Sequence, residues 1–191
     1  SDVYKRQEQL AAINLVTPMQ NIITNFGSGI TVAGAVLIAQ YIGAGEKEDA
    51  RSMANQIFAC AMGFAVVCAT LCFLGTPAIV NWLGADGGTA YYARVYLRVV
   101  IWDMPFLYMV NIFSAVHQAQ GDTVRPMFLN LGGITLNLFL DPFFMIILNL
   151  GTAGAALATL LAKAIPAIVA FGLLCRQEND ICPVSYTHLT L

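Results

Sequence analysis

Two long stretches without a charged side chain constrain this sequence more than any other feature. Residues 10–45 and 52–85 contain no Asp, Glu, Lys or Arg. A helix needs about 20 predominantly apolar residues to cross a bilayer, and each stretch exceeds that length. Over the whole chain 58% of residues are hydrophobic and 10% are charged, whereas soluble domains have about 25% charged residues. The sequence therefore predicts an integral membrane protein.

Apolar runs separated by short polar connectors predict an all-α integral membrane fold of five transmembrane helices. The predicted spans lie at about residues 12–42, 53–74, 91–118, 126–148 and 153–175. Residues 75–77 (Gly-Thr-Pro) indicate the end of the second span, with an interfacial segment after it. Because the connectors near Lys47, Arg125 and Asn149 are short, consecutive spans are expected to pack as antiparallel neighbours.

Both ends of the chain depart from this pattern. Residues 1–7 and 184–191 are polar segments that resemble translated sequencing-adapter DNA joined to a gene fragment. We expect them to be foreign, tag-like ends without contacts to the helix bundle. The membrane region is then residues 8–183, and the natural protein is expected to extend beyond both ends.

Basic residues in the connectors predict the orientation, because Lys and Arg concentrate in cytoplasmic loops. Four of them lie on one side and two near the other: Lys47, Arg51, Arg125 and Arg176 against Arg94 and Arg98. The connectors after the first and third spans are therefore expected in the cytoplasm. This orientation puts the Asp141 end of the fourth span in the outer half of the membrane.

Apart from Arg94 and Arg98 at the entry to the third span, three charged side chains lie inside the predicted spans, namely Asp103, Asp141 and Lys163. At 1.5 Å per residue, each lies roughly 12–17 Å from the outer end of its helix. A charge at the bilayer centre costs roughly 2.5–3.5 kcal/mol on insertion scales, and such residues usually serve a function. We expect the three helices to bring these charges together, with Lys163 bridging the two acids.

The fourth span carries a polar face. Asn130, Asn137 and Asp141 fall within about 40° of one another on a helical wheel. Pro142 follows the acid and cannot donate to the carbonyl of Leu138, which predicts a kink at Asp141. A carboxylate, an amide oxygen and a free carbonyl suit a sodium ion or a proton. The sequence therefore predicts a coupling-ion site at Asp141.

Other chemistry has little support in the sequence. The five cysteines show no CxxC spacing, which favours packing roles over a metal site or a disulfide framework. We find no nucleophile–base pair and no phosphate-binding loop, so an enzyme is not expected. No basic tract suggests nucleic acid. No cofactor is expected beyond the coupling ion.

Four segments resemble the multidrug and toxic compound extrusion (MATE) family, in the order that family requires. Residues 37–50 (LIAQYIGAGEKEDA) resemble the signature that closes its second helix, and residues 120–127 (QGDTVRPM) a later connector. Residues 136–142 (LNLFLDP) and 154–159 (GAALAT) resemble its fifth and sixth helices. The resemblance covers about residues 10 to 180 and identifies the chain as a member of this family.

The resemblance implies a twelve-helix antiporter of two six-helix lobes in the plasma (inner) membrane of a bacterium. Such a protein exports organic cations and drugs in exchange for protons or sodium ions. This chain would supply helices two to six of the amino-terminal lobe. Its partners would be the lipid bilayer, the small-molecule substrates, and the missing first helix and carboxy-terminal lobe of the same protein.

The resemblance also assigns site residues. Asn137, Asp141 and Thr159 match the cation-binding positions of the lobe, with a possible sodium ion at Asp141. Lys163 and Asp103 depart from the family pattern, in which neutral residues are expected. Together with Asn130, we assign them to the substrate cavity or to charge balance. Because the Lys163 ammonium could replace a sodium ion, the departure favours proton coupling or a member of the family with an altered substrate preference.

Two other functions remain open at this point. A lipid-linked oligosaccharide flippase of the same superfamily would share the architecture, but it usually needs several basic residues for a diphosphate. Here Lys163 is balanced by Asp103 and Asp141, which argues against it. A non-transporting structural membrane subunit would not need polar groups from three helices at one depth.

Overall fold

The computed structural model describes residues 2–148 and 150–175, which form helices and short connections with no β-strand in that part of the chain. The α-helices are α1 (Asp2–Gly43), α2 (Lys47–Trp82), α3 (Gly87–Val100), α4 (Met104–Ala119), α5 (Val124–Pro142) and α6 (Gly151–Cys175). A 3-10 turn joins α3 to α4, so that five spans of the described chain are long and apolar enough to cross a membrane. The predicted all-α fold of five transmembrane helices is confirmed.

Helix α1 begins at Asp2, well before the predicted start of the first span near residue 12. No Pro or Gly lies between Asp2 and Thr17, so no helix breaker separates the polar end from the apolar run. Residues 2–7 are therefore helical, and their foreign origin stays a prediction. The other predicted foreign end, residues 184–191, lies outside the described residues.

Helix α2 continues to Trp82, past the predicted end of the second span near residue 74. Pro77 has no N–H for the carbonyl of Phe73. The hydroxyl of Thr76 donates to that carbonyl at 3.0 Å and to the Cys72 carbonyl at 2.9 Å. A side-chain donor thus replaces the missing backbone donor, and the helix passes through the proline.

The third span also contains a proline, and its helix type changes there. Pro105 cannot donate to the carbonyl of Ile101, and that carbonyl accepts the Met104 N–H instead. The result is a single 3-10 turn, Ile101–Asp103, between α3 and α4. Its last residue, Asp103, is fully buried.

The fourth span changes at the predicted place. Regular α-helix ends at Pro142, directly after Asp141, and Phe143–Ile147 form a π-helical turn. The Leu148 N–H donates to the Phe143 carbonyl at 3.1 Å, which is the wider spacing of a π turn. The irregular turn lies directly beside the acid that the sequence identified.

The helices pack unequally. Helix α1 packs against α2, α3 and α4, and α6 packs against α3, α4 and α5. Helix α5 packs mainly on α6 and α4, and Pro126 is its one buried residue. Large apolar side chains of α5 are exposed, including Phe128, Ile134, Leu138 and Phe139. Helix α5 therefore forms one edge of the described bundle.

Two apolar clusters form the core, and a polar layer lies between them. One cluster includes Val16, Val80, Leu97, Ile101 and Ala156, and the other includes Ile38, Ile57, Phe113, Val116 and Leu174. Gln20 on α1 and Lys163 on α6 lie between the two clusters along their helices, and Asp103 lies between Ile101 and Met104 at the border of the first cluster. The main polar contacts of the bundle are therefore at its middle depth.

Gly27 provides a test of this packing. A Cβ at Gly27 would overlap the ring and hydroxyl of Tyr108, which is fully buried and donates to the Ile23 carbonyl at 3.0 Å. Gly27→Ala should therefore destabilise the whole protein by about 1–3 kcal/mol, as overpacking does. The matched control is Gly29→Ala on the same helix, because a Cβ there has no neighbour within 4 Å. The measurement is thermal unfolding of both purified variants in detergent, and equal melting temperatures would contradict the packing.

Candidate functional site

The polar layer centres on Asp103, whose side chain is fully buried. The Lys163 ammonium donates to its Oδ2 at 2.5 Å, and the Gln20 amide donates to the same oxygen at 3.0 Å. The other carboxylate oxygen, Oδ1, has no hydrogen-bond partner within the described residues. One carboxylate therefore connects α1, the turn between α3 and α4, and α6.

Lys163 reaches this layer from the side of α6. Its side chain is 28% exposed, whereas that of Asp103 is 0% exposed. The ammonium therefore lies between the buried acid and open space. A buried charge is tolerated when it is paired and hydrogen-bonded, and Lys163 and Gln20 meet that condition at Oδ2 of Asp103, whereas Oδ1 has no partner among the described residues.

Of the two contacts expected in the bridge from Lys163 to Asp103 and Asp141, the structure contains the one with Asp103. Lys163 pairs with Asp103, and in the described part of the chain it makes no ion pair with Asp141. Asp141 instead accepts a hydrogen bond from the Asn137 amide at 3.4 Å. The reason is the position of α5 at the edge of the bundle, where Asp141 is only half-buried.

The three predicted cation-binding residues lie on two neighbouring helices. Asn137 and Asp141 are one turn apart on α5, joined by their hydrogen bond, and Thr159 is on α6. The Thr159 hydroxyl donates to the Ala155 carbonyl at 3.0 Å, so its lone pairs remain available. Asn137 and Thr159 line the same cavity, whereas Asp141 lies one turn beyond it.

That cavity has a volume of about 280 Å³ and lies between α4, α5 and α6. Its polar wall consists of Asn130, Asn137, Thr159 and Lys163. The rest of the wall is apolar: Leu107, Val110, Leu129, Gly133, Ile134, Ala162 and Pro166. The structure thus brings four of the six predicted site residues to one cavity, with Asp103 and Asp141 each hydrogen-bonded to one of the four.

A second, more polar cavity was not predicted from the sequence. It has a volume of about 450 Å³ and lies between α1, α4 and α5. Its polar lining residues are Ser28, Thr31, Asn111, Ser114, Gln118 and Asn130. Asn130 lines both cavities, and its amide donates to the Pro126 carbonyl at 2.9 Å.

Gln20 was also missed. It is one of several uncharged polar residues in the first span, and no spacing distinguishes it from Asn14, Asn21 or Asn25. Its burial and its bond to Asp103 become visible only when α1 is packed against the third span. The described residues contain no group of three His, Cys, Asp or Glu side chains that could hold a metal ion.

The fold and the cavity define a class: a multi-pass helical membrane protein with polar and charged groups inside its helix bundle. A family model described as MatE matches residues 4–143. The chain belongs to the MatE family, which confirms the resemblance found in the sequence.

Relatives and solved structures agree with that assignment. The chain is 25% identical over 179 residues to the multidrug export protein MepA of Staphylococcus haemolyticus, covering 94% of this chain and 39% of the relative. It resembles a MATE transporter of the MOP superfamily in its inward-facing conformation, with a TM-score of 0.87, 26% identity and coverage of 95% of this chain and 42% of the other. A Pyrococcus furiosus MOP superfamily transporter gives a TM-score of 0.85 at 27% identity, over 91% of this chain and 39% of the other. The chain therefore spans about two fifths of the length of these proteins.

The ion pair provides a prediction about stability. Lys163→Gln leaves Asp103 buried without its cation, which should destabilise the protein by about 3–5 kcal/mol. Asp103→Asn keeps the shape and should cost less, because the remaining Lys163 is partly exposed. The Asp103→Asn/Lys163→Gln double variant should recover most of the loss caused by Lys163→Gln alone. Thermal unfolding of the four proteins checks this, and purely additive effects would rule out the pair as a coupled unit.

Proposed function

We propose that the whole protein is a cation-coupled antiporter that exports organic cations and drugs across the plasma membrane of a bacterium. Membership of the MatE family and the relatives described as multidrug export proteins support this proposal. The single observation that carries it is the hydrogen-bonded Asn137–Asp141 pair, which lies on a membrane helix beside a cavity. An intramembrane carboxylate next to a cavity is the group through which a transporter couples to a cation.

Asp141 is proposed as the coupling group, because a carboxylate can alternate between a charged and a neutral or ion-bound form. Asn137 donates one amide hydrogen to it and holds it in place. The Asn137 carbonyl and the Thr159 hydroxyl offer further oxygens toward a cation. The proposal assigns Asn137, Asp141 and Thr159 to the cation site and requires no cofactor beyond the coupling ion.

A proton is favoured over sodium as the coupling ion, because Lys163 contributes a positive charge to the cavity that Thr159 and Asn137 line. Like charges repel, and the Asp103 carboxylate behind the ammonium offsets that repulsion only in part. A sodium ion at the cavity would therefore bind less favourably. A proton on Asp141 only neutralises a charge and adds none near the ammonium.

The two alternatives receive less support. A flippase for a lipid-linked diphosphate needs several basic groups, and Lys163 is the one basic residue in the wall of the described cavity. A structural subunit would not need a cavity with a buried ion pair behind it. We also propose no enzymatic activity for the chain.

Removing the charge of Asp141 tests the coupling role. In the whole protein, Asp141→Asn should reduce gradient-driven drug efflux to the background of cells without the transporter, because the titrating group is lost while the shape stays. The matched control is Asp86→Asn, an exposed acid in the connector before α3, which should keep full efflux. Efflux of a fluorescent cation from energised vesicles is the measurement, and undiminished efflux by Asp141→Asn rejects the role.

Replacing Lys163 tests the choice of ion. The unaltered protein should export the dye at the same rate with and without sodium when a proton gradient is present. Lys163→Gln should acquire stimulation by sodium, at least about twofold, because the repulsion at the cavity is removed. Lys163→Arg keeps the charge and should stay insensitive to sodium. Sodium stimulation of the unaltered protein would contradict proton coupling.

A further inference from the structure

The cavity between α4, α5 and α6 has one charged group in its described wall, and that group is positive. Lys163 lines the cavity, whereas neither Asp103 nor Asp141 does. Asp103 is fully buried behind the ammonium, so the ion pair turns its positive end toward the cavity. A ligand in this cavity therefore contacts the Lys163 ammonium directly, whereas the Asp103 carboxylate lies behind that ammonium.

The ammonium has hydrogen-bonding capacity left. A Lys ammonium carries three N–H donors. Asp103 takes one of them, and no other residue of the described chain accepts from Lys163. Two donors are therefore available to an acceptor that enters the cavity. Charge-assisted bonds to an anionic oxygen, such as that of a carboxylate, are the strongest that such donors form.

The neutral polar groups leave room for such an acceptor. The Asn130 and Thr159 side chains each donate a hydrogen bond to a carbonyl of their own helix, and the Asn137 amide donates to Asp141. None of these three side chains is bonded to the Lys163 ammonium. The ammonium therefore remains the strongest unsatisfied donor group in the wall.

The rest of the cavity wall favours a ligand whose main part is apolar. Apolar side chains of α4, α5 and α6 form most of the lining, among them Leu107, Ile134 and Pro166. The volume of about 280 Å³ is close to the lower end of the range for small-molecule pockets. An apolar ring system with one anionic group matches both parts of the wall.

We infer that this cavity binds an amphipathic molecule through a carboxylate that contacts Lys163. The apolar part of the ligand lies against α4 and α5, and the carboxylate shares the ammonium with Asp103. This inference deepens the proposed function and rests on it for the transport of the ligand. Its binding part stands on the cavity alone.

The test compares two dyes that differ in one group. A rhodamine with a free benzoic acid group and the methyl ester of the same dye share their ring system and cationic centre. Binding of each to the purified whole protein is measured by fluorescence polarisation. We expect the acid to bind about tenfold more tightly than the ester, because charge-assisted hydrogen bonds contribute that much to affinity. An ester that binds as tightly as the acid, or an absence of binding by both dyes, overturns the inference.

Variants assign the preference to Lys163. Lys163→Gln should abolish the acid-over-ester ratio, Lys163→Arg should retain it, and Arg94→Gln, an exposed cation on α3, should leave it unchanged. If Lys163→Gln is too unstable to purify, the Asp103→Asn/Lys163→Gln variant replaces it, with the same expected loss of the ratio. A ratio that survives in the variant without Lys163 overturns the inference.

Transport separates this inference from the proposed function. Vesicles with the unaltered protein that bind the acid preferentially but move neither dye against a gradient contradict the antiporter and leave the carboxylate site standing. Vesicles that export both dyes with no binding preference contradict the carboxylate site and leave the antiporter standing.

Discussion

The burial of one ion pair is the constraint on which the rest of this structure depends. Asp103 is fully enclosed, and each ion taken out of water costs several kcal/mol unless it is closely partnered. Its partners come from α1 and α6, so three spans must meet at one depth for the acid to be tolerated. The two apolar clusters above and below hold the helices at that depth. Packing and pairing therefore depend on each other.

Prolines shape the spans around this layer, and each does so in a different way. At Pro77 a threonine hydroxyl satisfies the freed carbonyl, and α2 continues. At Pro105 the chain tightens into a 3-10 turn that ends at the buried Asp103. At Pro142 it widens into a π turn directly after Asp141. Both acids of the membrane region thus lie where the backbone is irregular, which is frequent at functional positions in membrane helices.

The two acids occupy different surroundings and are suited to different tasks. Asp103 is enclosed and paired with Lys163, so it fixes the position of a positive charge at the cavity wall. Asp141 is half-buried on the edge helix α5, held by one amide of Asn137. A group that must bind and release a cation needs access, whereas a group that orients a neighbour needs enclosure. This division supports the assignment of coupling to Asp141 and of ligand contact to Lys163.

The sequence by itself determined the class of fold and the number of spans, and it singled out the charged residues inside them. Uncharged runs longer than a bilayer is thick admit only membrane helices, and a charge inside such a run is expensive enough to be informative. The 3.6-residue period likewise predicted that Asn137 and Asp141 would meet on α5. The ends of the spans were harder to predict from the sequence. The passage of α2 through Pro77, for example, depends on the rotamer of the Thr76 hydroxyl.

Only the tertiary structure decided which charges meet. Depth along each helix allowed Lys163 to reach either acid, but the choice of Asp103 depends on the rotation of α6 and on the distance of α5 from the bundle centre. Hydrophobic pattern specifies those quantities only to within a turn of helix. The contribution of Gln20 and the cavity shared by Asn130, Asn137, Thr159 and Lys163 have the same origin. They arise between helices, where the periodicity of a single helix carries no information.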